Sequence, residues 1–466
     1  MGGENQPPRT FLAVDEINLP EGERLSSQVR IRWWGDDPDG YVDGYEFCQG
    51  DFAGCEWTNA GMTTDTILVL PIPQGNDYAD VEFTVRAYDN EGLRDPVGAS
   101  TTFPIKNSPP DLALITADLP SDTTYGIMSF GWEASDPDGE ENLNYIEFTV
   151  NDTSNTWIQV DPDISYLTLD ISDDSMNEAE ARIYVGRALS TTELVINGLK
   201  INARNTLYIR SVDQALAKSP VQEVEWHVKR QNSNILVVND NTLMNSESIL
   251  NEHLGYLRQL GFDNIDYLDL SNTHHPERTH LNTTQNETLI RQFQRWDHVY
   301  WVSDSFTRRI QFASRFLTGF FDNGGTMFVS SPTGNYSDQN ATVQFLPISH
   351  MRPLPEGANN YQIGRNAVIK PANSNTGLTE LIRNLTSLDR NSMPIVPLGD
   401  ATVLYEAPYT DSNNYFGEPY YLPIAVLSNE RNLGFFGMDL TILTEEEDLI
   451  DALDYILKQQ LNFELR

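Results

Sequence analysis

One ordered set of landmarks occurs twice in the amino-terminal half of the chain. Asn5-Gln6-Pro7-Pro8 returns as Asn107-Ser108-Pro109-Pro110, an offset of 102 residues. Trp34-Gly35-Asp36-Asp37-Pro38-Asp39-Gly40, followed by YVDGYEF, is answered by Trp132-Glu133-Ala134-Ser135-Asp136-Pro137-Asp138-Gly139, followed by EENLNYIEFTV. VRAYDNEGLRDP, Val85 to Pro96, is answered by IRSVDQALAKSP, Ile209 to Pro220. Three landmarks in one order require two copies of a single folding unit. Within a copy, RIRWW, GYEF, TILVL and VEFTVRAY are short alternating or aromatic-rich runs broken by Gly, Pro, Asn and Asp, the pattern of a sandwich of about seven strands. The expected boundaries are 1–106 for the first β-sandwich and 107–230 for the second.

After Lys229 to Asn234 the pattern changes. Ile235-Leu236-Val237-Val238 is a continuous apolar run, as in a strand buried on both faces of a parallel sheet. SESILNEHLGYLRQLGF follows with helical spacing, Ser246 as N-cap and Gly261 as the stop. The alternation continues through IDYLDLS, a helix over ETLIRQFQRW, HVYWVSD, a helix over TRRIQFASRFLTGFFD, and TMFVSS. It predicts a doubly wound α/β domain over 231–466. A hairpin turning near Asn429 to Asn432 and a closing helix over EEDLIDALDYILKQQL complete it. The fold class expected is therefore multidomain, with two all-β sandwiches followed by an α/β domain.

The landmarks of the repeats resemble the fibronectin type III family and similar immunoglobulin-like sandwiches. On that resemblance Trp34 and Trp132 take the place of the core tryptophan on the second strand, and Tyr88 and Tyr208 fall in the sixth-strand region. The second copy departs from the family in a long stretch around NDTSNTWIQVDPDISYLTLDISDDSMNEAEARIYVGRALSTTEL, expected as an inserted hairpin or a loop with a short helix. In the last domain, Gly324-Gly325 before TMFVSS and the late strand FFGMDL resemble the class I glutamine amidotransferase-like group of flavodoxin-like domains. The resemblance implies a nucleophilic Cys on the turn after HVYWV. Ser303, Asp304 and Ser305 stand there instead, and the domain has no Cys, so glutamine hydrolysis is not expected.

Charge bounds the partners. With 30 Lys+Arg against 68 Asp+Glu the formal net charge is -38. No basic stripe is present for a nucleic acid. The bases are six Lys and twenty-four Arg, a Lys-poor, acid-rich balance that suits either a saline medium or ordinary extracellular surroundings. No apolar run reaches the roughly 18 residues that span a bilayer. Met1-Gly2-Gly3-Glu4 is read as standing where a lipidated Cys would begin a mature bacterial lipoprotein, so a lipid anchor at the amino terminus and a surface location are expected. Cys48 and Cys55 flank a turn-forming stretch. They read as a hairpin disulfide of an oxidising compartment, with two unrelated thiols as the alternative.

Several residues are candidates for chemistry. Ser303 or Ser305 at a sheet edge would suit a hydrolase, but without G-x-S-x-G or an assigned histidine base they also read as caps of the next helix. His274, His275 and His280 with Glu277 form a metal-ligand cluster or an ordinary polar loop. Asn239, Asp240, Asn241 and Thr242 follow the first α/β strand without the glycines a pyrophosphate requires. In the resembled sandwich the DPDG loop and the loop after the sixth strand share one end. This brings Asp37 and Asp39 towards Asp89 and Asn90, and Asp136 and Asp138 towards Asp213. These oxygens suit Ca²⁺, while Asp-Pro-Asp-Gly also makes a good turn by itself. Calcium is the one cofactor considered. The tyrosines of Asn413 to Pro423 read as a recognition loop or as packing on their own domain. The functional expectation is a non-catalytic surface protein that binds a protein or glycan or joins a surface complex, its sandwiches acting as spacers. The alternative is a secreted hydrolase.

Overall fold

The computed structural model describes residues 5–14, 23–50, 54–242, 245–270, 286–306, 308–334, 345–374, 376–384, 388–389, 392–444 and 446–466. Met1 to Glu4 and the histidine segment with His274, His275, Glu277 and His280 lie outside the described residues. The chain forms two compact units. One joins Met1–Ile115, Gly131–Ser165 and Thr206–Val224, and the other joins Thr116–Phe130, Tyr166–Asn205 and Glu225–Arg466. The division runs through the second repeat rather than at either of its ends.

The first repeat comprises β1 (Arg9–Val14), β2 (Leu25–Ser26), β3 (Gln28–Asp36), β4 (Val42–Gln49), β5 (Thr58–Gly61), β6 (Asp65–Val69), β7 (Tyr78–Asp89) and β8 (Ala99–Lys106). They form one sheet in the order β1-β3-β6 and another in the order β2-β8-β7-β4-β5. Strand β3 alternates between core and solvent: Val29, Ile31 and Trp33 are buried, while Gln28, Arg30, Arg32 and Trp34 are exposed. Trp33 is 1% exposed and packs against Tyr45, Phe47 and Phe83. The core tryptophan is therefore Trp33. Trp34, expected in that place, is 50% exposed. The acidic loops give the true register, because Asp37-Pro38-Asp39-Gly40 and Asp136-Pro137-Asp138-Gly139 are 99 residues apart and so are Trp33 and Trp132. In a strand a slip of one residue turns every side chain to the opposite face.

The second repeat comprises β9 (Asp111–Leu114), β10 (Thr123–Thr124), β11 (Ile127–Ser135), β12 (Leu143–Val150), β13 (Ile158–Val160), β14 (Tyr166–Asp170), β15 (Glu178–Val185), β16 (Ser190–Lys200), β17 (Ala203–Asp213) and β18 (Gln222–Val228). Their sheets run β10-β18-β17-β12-β13 and β16-β15-β14-β11-β9. Trp132 is fully buried. The additional stretch of this copy includes the antiparallel hairpin β15–β16. Both copies carry one polar device, on the β4–β7 pair in the first and on the corresponding β12–β17 pair in the second. Glu46 accepts from Arg86 and from Arg94 Nε (2.9 Å), and the Arg86 guanidinium lies 3.8 Å from the Trp57 ring centroid. Glu147 accepts from Arg210 Nε (2.6 Å) and Lys218 Nζ (3.2 Å), with Arg210 4.1 Å from the Trp157 ring centroid.

From Ile235 onward the described residues build a fifth, larger sheet and a separate two-stranded pair. The strands are β19 (Ile235–Asp240), β20 (Asp266–Asp269), β21 (His298–Ser303), β22 (Thr326–Ser330), β23 (Ile348–Met351), β24 (Gln362–Ile363), β25 (Val368–Pro371), β26 (Leu381–Ile382), β27 (Ile395–Pro397), β28 (Thr402–Thr410), β29 (Tyr420–Leu427) and β30 (Leu433–Phe436). Strands β23 and β27 pair separately, and the main order is β20-β19-β21-β22-β30-β29-β28-β25-β26. The first five are mutually parallel, so among themselves they follow the chain order 2-1-3-4-5. The rest extend the sheet with antiparallel pairs. Among the described residues the α-helices are α1 (Ser246–Gln259), α2 (Asn286–Phe293), α3 (Leu317–Asp322) and α4 (Glu446–Leu453). Ile235 and Val237 pack with α1 and α4 on one face, and Leu236 and Val238 with α2 and α3 on the other. This explains the uninterrupted apolar run. Three helical expectations change in detail, the closing helix being α over Glu446–Leu453 and π over Asp454–Gln460. The turn over Arg309–Arg315 is 3₁₀, with only Leu317–Asp322 α-helical, and Ser246 is the first helical residue, following Asn245 as N-cap.

Truncation distinguishes the two adjacent indoles. Trp33→Ala is expected to lower stability by about 3–5 kcal/mol through the cavity it leaves, and Trp34→Ala by less than about 0.5 kcal/mol. Urea denaturation of the two variants checks this assignment.

Candidate functional site

The repeated landmarks meet at one end of each sandwich. In the first copy Asn5 Nδ2 donates to Asp89 Oδ2 at 2.8 Å, and the Gln6 amide donates to the Asp39 carboxylate at 3.2 and 3.3 Å. Asp89 Oδ1 also accepts the amides of Glu91 (2.8 Å) and Leu93 (2.9 Å). In the second copy Asn107 Nδ2 donates to Asp213 Oδ2, and Ser108 donates its amide (2.6 Å) and hydroxyl (3.2 Å) to Asp138. Asp213 Oδ1 accepts the Ala217 amide at 2.7 Å. Thus the Asn-x-Pro-Pro, DPDG and sixth-strand landmarks form one hydrogen-bonded knot, made twice. Asp138 Oδ1 also takes the Ser27 amide at 3.1 Å, tying the second copy to the strand entrance of the first. The sequence marked the acidic residues. It did not show that their partners are Asn5, Gln6, Asn107 and Ser108, although these belong to the repeat's first landmark.

The copies differ at the leading aspartate. Asp136 Oδ1 accepts the Asp138 amide (2.8 Å) and Oδ2 accepts Asn142 Nδ2 (3.2 Å). Burial, reinforced by Asp138 and Asp213, pushes its carboxyl up to about 6. In the first copy both Asp37 carboxylate oxygens are shielded from solvent and have no hydrogen-bond partner. Asp37 Oδ2 and Asn90 Oδ1 each lie 2.6 Å from the point a Cβ on Gly40 would occupy, so any larger residue there would push these two side-chain oxygens aside. Among the described residues no three His, Cys, Asp or Glu side chains are grouped to hold a metal ion. Cys48 and Cys55 form a disulfide with a Cα–Cα distance of 5.7 Å.

The carboxyl edge of the parallel strands is polar and buried. Asn239, Asp240, Asn241, Ser303, Ser330, Ser331 and Thr333 are each no more than 3% exposed. Asn239 bonds Asn241 (2.6 Å) and Ser246 (3.0 Å). Asp304 accepts the Thr242 amide (2.8 Å) and hydroxyl (3.1 Å), and Arg308 Nε (2.8 Å). Ser303 Oγ donates to the Ser305 carbonyl at 2.8 Å. Among the described residues no histidine bonds Ser303. His253 Nδ1 meets the Tyr300 hydroxyl at 2.9 Å, and His298 lies at the opposite end of β21 with Thr326 (2.7 Å). Asp240 accepts the Ile310 amide at 2.9 Å, and its Oδ1 is 3.8 Å from Arg309 Nη1. Burial pushes its carboxyl up to about 7 against those two contacts. Sequence reasoning placed Asn239 and Asp240 in a loop, whereas they are the last two residues of β19, and it had no signal for Arg309 or Ile310 as neighbours of Asp240. The tyrosine-rich loop packs on its own domain through Phe416, stacked on Tyr361 at 5.7 Å and on Tyr420 at 6.1 Å. Tyr415 and Tyr420 remain about half exposed.

No protein-family model matches the chain, and no curated protein sequence matches it. Among solved structures, the fibronectin(III)-like modules of Clostridium thermocellum CbhA are similar at 14% identity, over 47% of this chain and 95% of theirs, with a TM-score of 0.18. The FN1–FN3 domains of chicken CNTN1 are similar at 14% identity over 48% of this chain and 66% of theirs, TM-score 0.19. A tetra-tandem repeat from the extending region of a large adhesion protein is similar at 15% identity over 47% and 49%, TM-score 0.20. The aligned part is less than two thirds of the length of the latter two. These neighbours are fibronectin III-like and β-sandwich modules covering about half the chain.

Buried ionisable groups give the protein a definite pH response. The Asp240 carboxyl titrates near 7 in the fold and near 4 when unfolded. Its favourable contribution is complete below pH 4 and is lost as the pH rises through 7. Asp136 behaves likewise up to about 6. His253, held near 3 by burial, acts in the other direction, with stability falling as the pH drops from about 6.5 towards 3. Asp240→Asn is expected to raise stability by on the order of 2 kcal/mol at pH 8 and leave it unchanged at pH 4. Denaturation at the two pH values checks this, and an equal change at both would contradict it.

Proposed function

We propose that the protein is a non-catalytic binding or assembly protein of the cell surface. Its two fibronectin III-like sandwiches serve as spacers, and its carboxyl-terminal region is a flavodoxin-like recognition domain related to the amidotransferase-like group without that group's chemistry. The parallel strand order 2-1-3-4-5, with helices on both faces, supports the flavodoxin-like reading. The observation that carries the non-catalytic reading is the Ser303 hydroxyl, which donates to the Ser305 carbonyl on the turn where a nucleophile would stand. A nucleophile needs its proton directed at a base, whereas here Asp304 is held by Thr242 and Arg308. The Cys48–Cys55 disulfide fits an oxidising compartment. Two measurements on the full chain test the reading. Crosslinking on intact cells is expected to recover it in a surface complex, and a panel of ester, amide and glycoside substrates is expected to show no turnover. Turnover abolished by Ser303→Ala would establish the hydrolase instead.

A second reading concerns calcium in the first repeat. Asp37, with both oxygens shielded and unpartnered beside Asn90 Oδ1, offers hard donors of the type Ca²⁺ takes. In the second repeat the corresponding Asp136 oxygens already accept hydrogen bonds, so one ion per chain is the expected stoichiometry. Calorimetric titration with Ca²⁺ checks it: heat that Asp37→Asn abolishes supports the site, and no heat rejects it.

A further inference from the structure

The amino edge of the parallel strands, opposite the edge that carries Asp240 and Ser303, holds a cleft of about 400 Å³. It is built where the turn between β29 and β30, the end of α3, the segment leading into β23 and the turn between β27 and β28 come together. Two of its walls are fixed by their own bonds. Ser428 Oγ accepts the Asn432 and Leu433 amides at 3.2 and 3.1 Å and donates to Asn432 Oδ1 at 2.9 Å, while the Met327 amide donates to the Asn432 carbonyl at 2.7 Å. On the other side the Leu398 amide donates to the Pro347 carbonyl at 3.1 Å, and the Ala401 amide to the Leu398 carbonyl at 3.0 Å. The cleft is thus preformed, and its volume falls at the lower end of the range of small-molecule sites.

Its lining divides into an apolar part and an acidic part. Phe321 and Phe345 pack on the core with one side and line the cleft with the other. Leu346 and Leu433 are buried, and Leu398 is 53% exposed. Asp400 and Glu430, both exposed, supply two carboxylates. Among the described residues no Lys, Arg or His lines the cleft, and no base forms an ion pair with either acid. Arg431, the neighbour of Glu430, is bonded instead to Gln460 Oε1 at 2.7 Å. A cleft on this acid-rich chain need not lack a base: the one on the β15–β16 hairpin has Arg182 in its lining together with Glu180 and Glu193.

This lining selects among ligand classes. An anion is repelled by the carboxylates. A hard metal cation takes six to eight oxygens, and among the described residues no three acids are grouped to provide them. A neutral apolar ligand would take two carboxylates out of water with no charge to compensate them. An organic ammonium ion suits both parts, because its apolar body covers the phenylalanine and leucine side chains while its charge faces the acids. The faces of aromatic rings attract a cation as well. We infer that this cleft is a binding site for a small organic ammonium ion with an apolar body, oriented by Asp400 and Glu430. Such a site lies apart from the residues on which the non-catalytic reading rests, and it adds a small ligand to the binding function proposed above.

Methyl NMR of the full chain with labelled leucines tests it, using phenethylammonium as the probe and phenethyl alcohol and hydrocinnamate as its neutral and anionic counterparts. The expected result is a saturable shift of the Leu346, Leu398 and Leu433 methyls with the ammonium ion, and binding weaker by about tenfold or more for the other two compounds. Asp400→Asn plus Glu430→Gln, changes at exposed positions that the fold tolerates, is expected to weaken the ammonium ion by about tenfold or more and to leave the other leucine methyls in place. No saturable shift, an equal response to the alcohol, or undiminished affinity in the double variant would overturn the inference. Shifts spread over leucines outside the cleft would also overturn it, since they would mark general attraction of a cation to a chain of net charge -38. Recovery of a surface complex by crosslinking reads a different property, so the binding function would stand if this site alone failed.

Discussion

Main-chain and asparagine amides held by aspartate side chains are the interaction on which the amino-terminal half depends. A sandwich of short strands must fix the path of the chain as it enters each copy, and the entering segments contribute few apolar side chains to do so. Asp89 and Asp39, and later Asp213 and Asp138, accept donors from Asn5, Gln6, Asn107 and Ser108. Hydrogen bonds to an ionised acceptor are about twice as strong as neutral ones. They also satisfy backbone donors that a loop would otherwise leave to solvent. The acid excess that first suggested a saline or extracellular setting is therefore in part structural, since these carboxylates act as ligands for their own chain.

At the carboxyl edge of the parallel strands the polar groups bond one another, but the protein retains a cost there. Asp240 is fully buried with one amide and a distant arginine for company. An isolated carboxylate in such a place resists ionisation. Neighbouring Asp304, by contrast, receives a guanidinium and two donors from Thr242. The two acids thus have opposite surroundings at one edge of the sheet.

Much of this was legible in the sequence because periodicity and punctuation are local. The repeat, the alternation of β3, the apolar run Ile235 to Val238 and the stop at Gly261, whose φ is +86°, all follow from residues within reach of one another. The error at Trp34 is instructive. Two adjacent tryptophans offered two registers, and only the DPDG loops, which the fold uses as a fixed corner, select between them. What the sequence did not reveal was tertiary in origin. The contact of Ser129 with Thr288 joins residues 159 apart in the chain, and no spacing rule relates them. The same holds for Arg309 beside Asp240.

The division of the chain through its second repeat has a consequence for how such a protein can be reshaped by recombination. The first repeat is a module in the ordinary sense, closed by its own core. The second is a joint: one part belongs with the first repeat through Asp138 and Ser27, and another offers Ser129, Thr168 and Asp170 to α2. A gene fusion that exchanged it alone would strand a carboxylate and a set of hydroxyls on a face meant to be covered. Lineages can therefore be expected to vary the first sandwich freely and to inherit the second together with the domain that follows it.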